Sequence, residues 1–172
     1  ALLAEAGYAD GVGFPKMTLI YNTNEGHKKI AEYVQQAWKK NLGINVELAN
    51  LEWATFLDER QSGNFQIGRA GWVGDYQDPS NFLELFLTGG GNNDGKYSNP
   101  EFDALMAKAA TMPAGEERMS VLRQAEEILI TQDQAIIPFY FYVTQNMIDL
   151  NTWEGWYANT LDIHPYVGLK RK

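Results

Sequence analysis

With 172 residues, close to half of them apolar and about a fifth charged, the chain is long enough for one sizeable core and has the composition of a globular protein. Its net charge of −8, with acids and bases interspersed, excludes the basic stripe that a nucleic-acid partner requires. The absence of cysteine excludes disulfides, thiol catalysis and Cys-based zinc sites, and the two histidines, His27 and His164, stand too far apart to indicate a metal centre.

The opening Ala1-Leu2-Leu3-Ala4-Glu5 has no basic leader and resembles the tail of an amphipathic helix, so the sequence is expected to start inside a longer parent. Met17 to Asn22 is a short apolar strand. The helix that follows, about Gly26 to Asn41, shows Ile30, Tyr33, Val34, Ala37 and Trp38 at helical spacing. Thr23 or Asn24 caps it, Lys39 and Lys40 suit its negative end, and Gly43 terminates it. Ile44, Val46 and Leu48 alternate with polar residues as a second strand, and strand–helix–strand with short links predicts a parallel βαβ unit.

A helix over Trp53 to Arg60 and a strand over Phe65 to Trp72 come next. Pro79 to Leu87 is predicted helical, and Gly89 to Gly95 must be loop. Asn99-Pro100 opens a helix whose apolar face is Phe102, Leu105, Met106 and Ala109. A longer helix is expected from Gly115 to Gln132 with Met119, Leu122, Ala125 and Leu129 inward, and a last strand from Ile136 to Thr144. In that strand Tyr140 and Tyr142 share one face while Phe139 and Phe141 share the other.

Ligands of open α/β sheets sit beyond the carboxyl ends of the parallel strands. Here those ends are Asn22 to Asn24, with His27 close behind, and Trp72 to Asp78. Arg69, on the face of Phe65 and Ile67, needs an anion if buried; a ligand serves, and so does a structural ion pair to Asp58, Glu59 or Glu84. Trp72 and Asp75 lie among glycines, where a ring can stack on a ligand and a carboxylate can accept from an ammonium. Taken alone, the stretch fits better a core tryptophan and a turn or cap aspartate. Gly90, Asn92, Asp94, Gly95 and Glu101 follow EF-hand spacing, but glycine holds the first ligand position and Pro100 intrudes. Gly95-Lys96-Tyr97 fails as a P-loop, and neither a nucleophile elbow nor a His-Glu-x-x-His motif is present. No cofactor is implied.

Several segments in order carry a family resemblance: Leu3-Ala4-Glu5-Ala6-Gly7-Tyr8, Tyr21 to Lys29, Trp38 to Ile44, Glu52 to Phe56, Arg69 to Pro79, Tyr97 to Asp103, and Ile137 to Tyr142. Together they resemble the oligopeptide-binding members of the family 5 solute-binding proteins, which serve ABC importers. The resemblance implies an α/β fold, one lobe of a type II periplasmic-binding-protein fold with a central mixed sheet flanked by helices. It implies a non-enzymatic receptor in the bacterial periplasm that encloses an extended peptide between two lobes closing about a hinge. Residues 1–144 would be the C-terminal, peptide-binding lobe, and residues 145–172 a tail returning to the absent N-terminal lobe of the same parent. By the same resemblance Asp75 holds the peptide's α-ammonium, Trp72 and Tyr142 line the cleft, and Arg69, Arg60 and His27 stand where peptide carboxylates of different lengths end. The implied partners are an oligopeptide, the permease subunits in the membrane and the N-terminal lobe. A murein peptide or other small solute is the nearest alternative ligand; a carboxylate-based hydrolase and a purely structural interaction domain are the alternatives of other classes.

Overall fold

The computed structural model describes residues 1–172, whose internal contacts divide into two units: residues 1–71 with 91–96, and residues 72–90 with 97–172. The first unit is built on the strand β1, Met17–Asn22, whose last four residues are buried. After the short opening helix α1, Leu2–Glu5, and β1 come α2, Glu25–Leu42; β2, Val46–Leu51; α3, Trp53–Gln61; and β3, Ile67–Gly68. The strands form one parallel sheet in the order β2-β1-β3, with Met17 opposite Val46 and Leu19 opposite Ile67. The βαβ unit expected from local patterning is therefore present.

Helix α2 forms because its ends and its face agree. The Asn24 side chain accepts from the amides of Gly26 (2.8 Å) and His27 (3.1 Å), satisfying two donors of the first turn. Ala31 and Val34 are buried with Leu19 and Tyr21 of β1, and Ile30 and Trp38 pack on the same cluster. Tyr33, expected inward, is 71% exposed: it stands just past the edge of the apolar stripe, and helical spacing alone does not fix where that edge falls. The helix stops at Gly43, whose φ of +72° is a left-handed cap. A Cβ there would also overlap the Asp10 carbonyl oxygen. Gly43→Ala is therefore expected to destabilise the chain by at least about 1–2 kcal/mol from the φ penalty alone, measured by urea unfolding. A change within error would show that neither the positive φ at Gly43 nor the contact with Asp10 carries a cost.

The sheet is parallel throughout and not mixed. The strand expected over Phe65 to Trp72 contracts to Ile67–Gly68, extended by the Arg69 amide donating to Ile20 O (2.9 Å). The run Ile136 to Thr144 joins neither sheet. Its β-forming residues are not in doubt, but propensity without a hydrogen-bonded neighbour makes no strand. Phe141 is 94% exposed, and Ile137, Phe139 and Val143 are exposed as well.

The second unit starts with the single-turn helix α4, Ser80–Leu83, followed by a 3-10 turn over Glu84–Phe86; these replace the longer helix expected there. An antiparallel hairpin of α5, Pro100–Thr111, and α6, Glu116–Glu126, carries its core. Phe102, Met106 and Ala109 from α5 meet Val121, Leu122 and Ala125 from α6, with Leu83 alongside. Asn99 caps α5 through the amides of Glu101 (2.8 Å) and Phe102 (3.2 Å), with Pro100 in the first turn. The expected helix to Gln132 is continuous but turns π-helical over Glu127–Gln132, where the amides of Asp133 and Ala135 reach Ile128 O (2.8 Å) and Leu129 O (2.9 Å). The Asp133 carboxylate accepts from Tyr97 Oη and Asn99 Nδ2, both at 2.7 Å, tying that end of the helix to the cap of α5. Two short strands, β4 at Trp153–Glu154 and β5 at Lys170–Arg171, pair antiparallel near the C-terminus.

Candidate ligand-binding site

In the first unit, two of the sequence-selected residues gather at the carboxyl edge of the parallel sheet. His27 lies in the first turn of α2, and its Nδ1 stands 2.9 Å from Oδ1 of the buried Asn22, the last residue of β1. Arg69 directly follows β3 and is half-buried. Its guanidinium folds over Gly71, where a Cβ would lie 2.9 Å from Nη2. Burial, and then the positive charge of Arg69, hold the His27 pKa below its ordinary value. The ring is therefore neutral at pH 7. With Nδ1 donating to Asn22, the neutral ring carries its lone pair on Nε2.

Arg60, at the last turn of α3, is already engaged. Its guanidinium donates to Asp94, and its Cζ lies 5.4 Å from the centroid of the buried Phe56 ring. Both members of the pair are largely shielded, with side chains 19% and 14% exposed.

In the second unit, Trp72 and Asp75 sit on an irregular loop. Trp72 is 38% exposed and Asp75 is exposed, so neither is a core residue. The loop is ordered by a residue that the sequence did not single out. Asn81, on α4 and only 1% exposed, accepts at Oδ1 from Trp72 Nε1 (3.0 Å) and from the Asp75 amide (3.0 Å). Gly74 fits beneath them because a Cβ there would press on Phe82 Cζ at 3.2 Å and on Asn81 Oδ1 at 3.4 Å. The only sequence signal for Asn81 was its place in a predicted helix, and an asparagine on a helix is ordinarily a surface residue.

Asp78 closes the same loop. One of its oxygens accepts from the Ser80 amide (2.9 Å), and both accept from Arg118 (2.6 and 3.0 Å), whose Nε donates to Ala109 O. The Arg118 guanidinium holds the Asp78 carboxyl well below the usual carboxylate range, so it is ionised at neutral pH. Tyr142 lies on the extended run, 63% exposed, with its ring centroid 4.9 Å from that of Tyr140. The two tyrosines thus share a side, as alternation predicted. No group of three or more His, Asp or Glu side chains converges as metal ligands would.

The arrangement thus offers a carboxylate and an indole face in one unit, and an arginine–histidine pair in the other. A carboxylate can accept from an ammonium group, and a guanidinium can donate to a carboxylate.

Comparison with known proteins bears on the family and the fold. Residues 1–94 match the family described as bacterial extracellular solute-binding proteins, family 5, middle region. The chain is 45% identical over 150 residues to the oligopeptide-binding protein OppA of Bacillus subtilis, covering 87% of this chain and 27% of that protein. It is 44% identical over 147 residues to the periplasmic murein peptide-binding protein MppA of Escherichia coli, covering 86% of this chain and 27% of the other. Among solved structures, a periplasmic oligopeptide-binding protein of Borrelia burgdorferi superposes with a TM-score of 0.81 at 38% identity, over 99% of this chain and 34% of that one. Haemophilus influenzae OppA in complex with RPPGFSPFR gives a TM-score of 0.81 at 36% identity, over 99% and 33%. The chain therefore spans roughly a quarter to a third of the length of these relatives. Their shared fold is the type II periplasmic-binding-protein fold expected from the sequence. On the family match and these likenesses together, the chain belongs to family 5 of the bacterial extracellular solute-binding proteins.

Proposed function

We propose that this chain supplies peptide-contacting residues to a periplasmic receptor that captures oligopeptides and delivers them to an ABC importer. The observation that carries the reading is the loop in which an exposed Asp75 and a half-exposed Trp72 are pinned to one buried asparagine. Asp75 pairs with the peptide's α-ammonium, Trp72 and Tyr142 flank its backbone, and Arg69 and His27 meet its carboxylate. Arg60 takes a carboxylate only by exchanging Asp94 for it. Backbone hydrogen bonding with charged anchors at the two ends tolerates many side chains between them.

In this reading residues 1–144 form one wall of the cleft, and residues 145–172 return to a second lobe of a longer parent. The exposed Ile137, Phe139, Phe141 and Val143 support it, since large apolar side chains exposed this close together in sequence call for cover. Permease subunits in the membrane receive the loaded protein, and no bond is made or broken. Mass spectrometry of the full-length protein as purified tests the proposal: co-purified oligopeptides are expected, and an exclusively non-peptide occupant would reject it. The likeness to the murein peptide-binding protein favours a second reading, in which muropeptides outcompete linear peptides.

His27 adds a pH dependence. Its protonation is disfavoured in the unliganded chain and favoured by an added carboxylate, so peptide binding at this position takes up a proton. Affinity for peptides ending at His27 is expected to rise as pH falls from about 7.5 to about 5.5, and His27→Ala to flatten that slope. A wild-type affinity constant across that range would remove His27 from the site.

A further inference from the structure

We infer that Asn81 is the positioning residue of the amino-end anchor, setting the Trp72 ring and the Asp75 carboxylate as one piece through a single oxygen. The inference rests on the peptide reading above and names the residue on which its selectivity depends.

Oδ1 of Asn81 is shared by two donors from residues three apart in an otherwise irregular loop, the Trp72 indole N–H and the Asp75 amide, each at 3.0 Å. One hydrogen bond fixes the rotation of the indole. The other fixes the backbone from which the carboxylate projects. The side chain is 1% exposed, so water does not compete for the oxygen, and loss of the acceptor leaves both donors without it. Asn81 is itself held from behind. Its amide donates to Asp78 O (3.1 Å), and the Asp78 side chain is fixed by both arms of Arg118 on α6. The line therefore runs from the packed helical hairpin through Arg118, Asp78 and Asn81 to the two groups that would meet the ligand. An asparagine serving only its own turn would not bridge the two ligand-facing residues. A binding site keeps its selectivity only if its contacting groups are held to within a fraction of an ångström by such support.

The test uses the full-length protein with two peptides, one with its amino terminus unmodified and one N-acetylated. Wild type is expected to prefer the unmodified peptide by about thirtyfold or more, as for the loss of a charged partner in a desolvated site. Asn81→Leu, which removes the acceptor while keeping the number and branching of side-chain heavy atoms, is expected to cut that preference at least tenfold. Asn81→Asp keeps an acceptor oxygen in place and is expected to retain the preference to within about threefold. The ratio of two dissociation constants measured on one preparation is independent of how much of the variant is folded, so a destabilised variant still reports. Equal weakening of both peptides by Asn81→Leu, or a preference unchanged to within about twofold, overturns the inference. A wild type without preference instead overturns the amino-end anchor on which it rests.

Discussion

Replacing Asp75 with alanine in the full-length protein is expected to weaken binding of an unmodified oligopeptide by about 2–5 kcal/mol, roughly thirtyfold to several thousandfold. The range follows from where the carboxylate stands. In the chain as described it is exposed, and its backbone is fixed by the Asn81 side chain. An exposed ion pair contributes little, about 1 kcal/mol or less. Enclosure of the ligand changes the balance, because the same pair away from water is screened far less. Removing one partner then leaves the α-ammonium buried with its charge unmatched, and most of the loss comes from that penalty. N-acetylation of the peptide removes the other partner. The cycle of Asp75→Ala against N-acetylation should therefore be strongly non-additive, with the acetylated peptide nearly indifferent to the substitution. Calorimetry decides it. Equal affinity of the wild type for both peptides removes Asp75 as amino anchor, and peptide cleavage abolished by replacing one carboxylate would return a hydrolase to consideration.

The sequence was most informative where structure is local. Met17 to Asn22 was delimited as a strand to the residue, and the following helix to within one residue at each end, because apolar period, Asn24 cap and Gly43 terminator are all written within a short window. It was least informative where a neighbour decides. Phe65 to Trp72 and Ile136 to Thr144 carry the same β-forming residues, yet the first keeps two paired residues and the second joins no sheet. A ladder partner is a long-range property that propensity does not record. Among candidate site residues, the strand-end rule led to His27 and to Trp72 and Asp75, and the cost of burying a cation led to Arg69; the structure brings His27 and Arg69 within electrostatic reach of each other. It could not show that Arg60 is spoken for by Asp94, a pairing across a loop of glycines and asparagines. Nor could it find Asn81, since nothing in Asp-Pro-Ser-Asn-Phe distinguishes a buried bridging amide from a surface one. Residue chemistry and family resemblance together pointed to the residues that would touch ligand, while Asn81 was legible only in three dimensions.

The same support has a stability counterpart. Phe102→Ala is expected to destabilise the second unit by about 3–5 kcal/mol, a large part of the stability of a domain this size. Phe102 is 0% exposed, in the first turn of α5, its ring edge-on to Tyr97 with centroids 5.6 Å apart. Its amide donates to the capping Asn99 side chain, and Tyr97 and Asn99 share the Asp133 carboxylate. Truncation at this position therefore opens a cavity the size of a phenyl ring beneath a cap and a carboxylate that both constrain relaxation, and restricted collapse places the cost at the upper part of the large-to-small range. Urea unfolding followed by tryptophan fluorescence measures it. Trp38 and Trp53 report on the first unit and Trp72, Trp153 and Trp156 on the second, so if the units unfold separately only the second transition should move to lower urea. A shift below about 1 kcal/mol would mean that α5 and α6 close over the gap. A shift of the expected size should also loosen the Arg118–Asp78–Asn81 line, since α6 is held against α5 by the core that Phe102 fills, and preference for an unmodified amino terminus in the full-length protein should then decline with the stability of the hairpin.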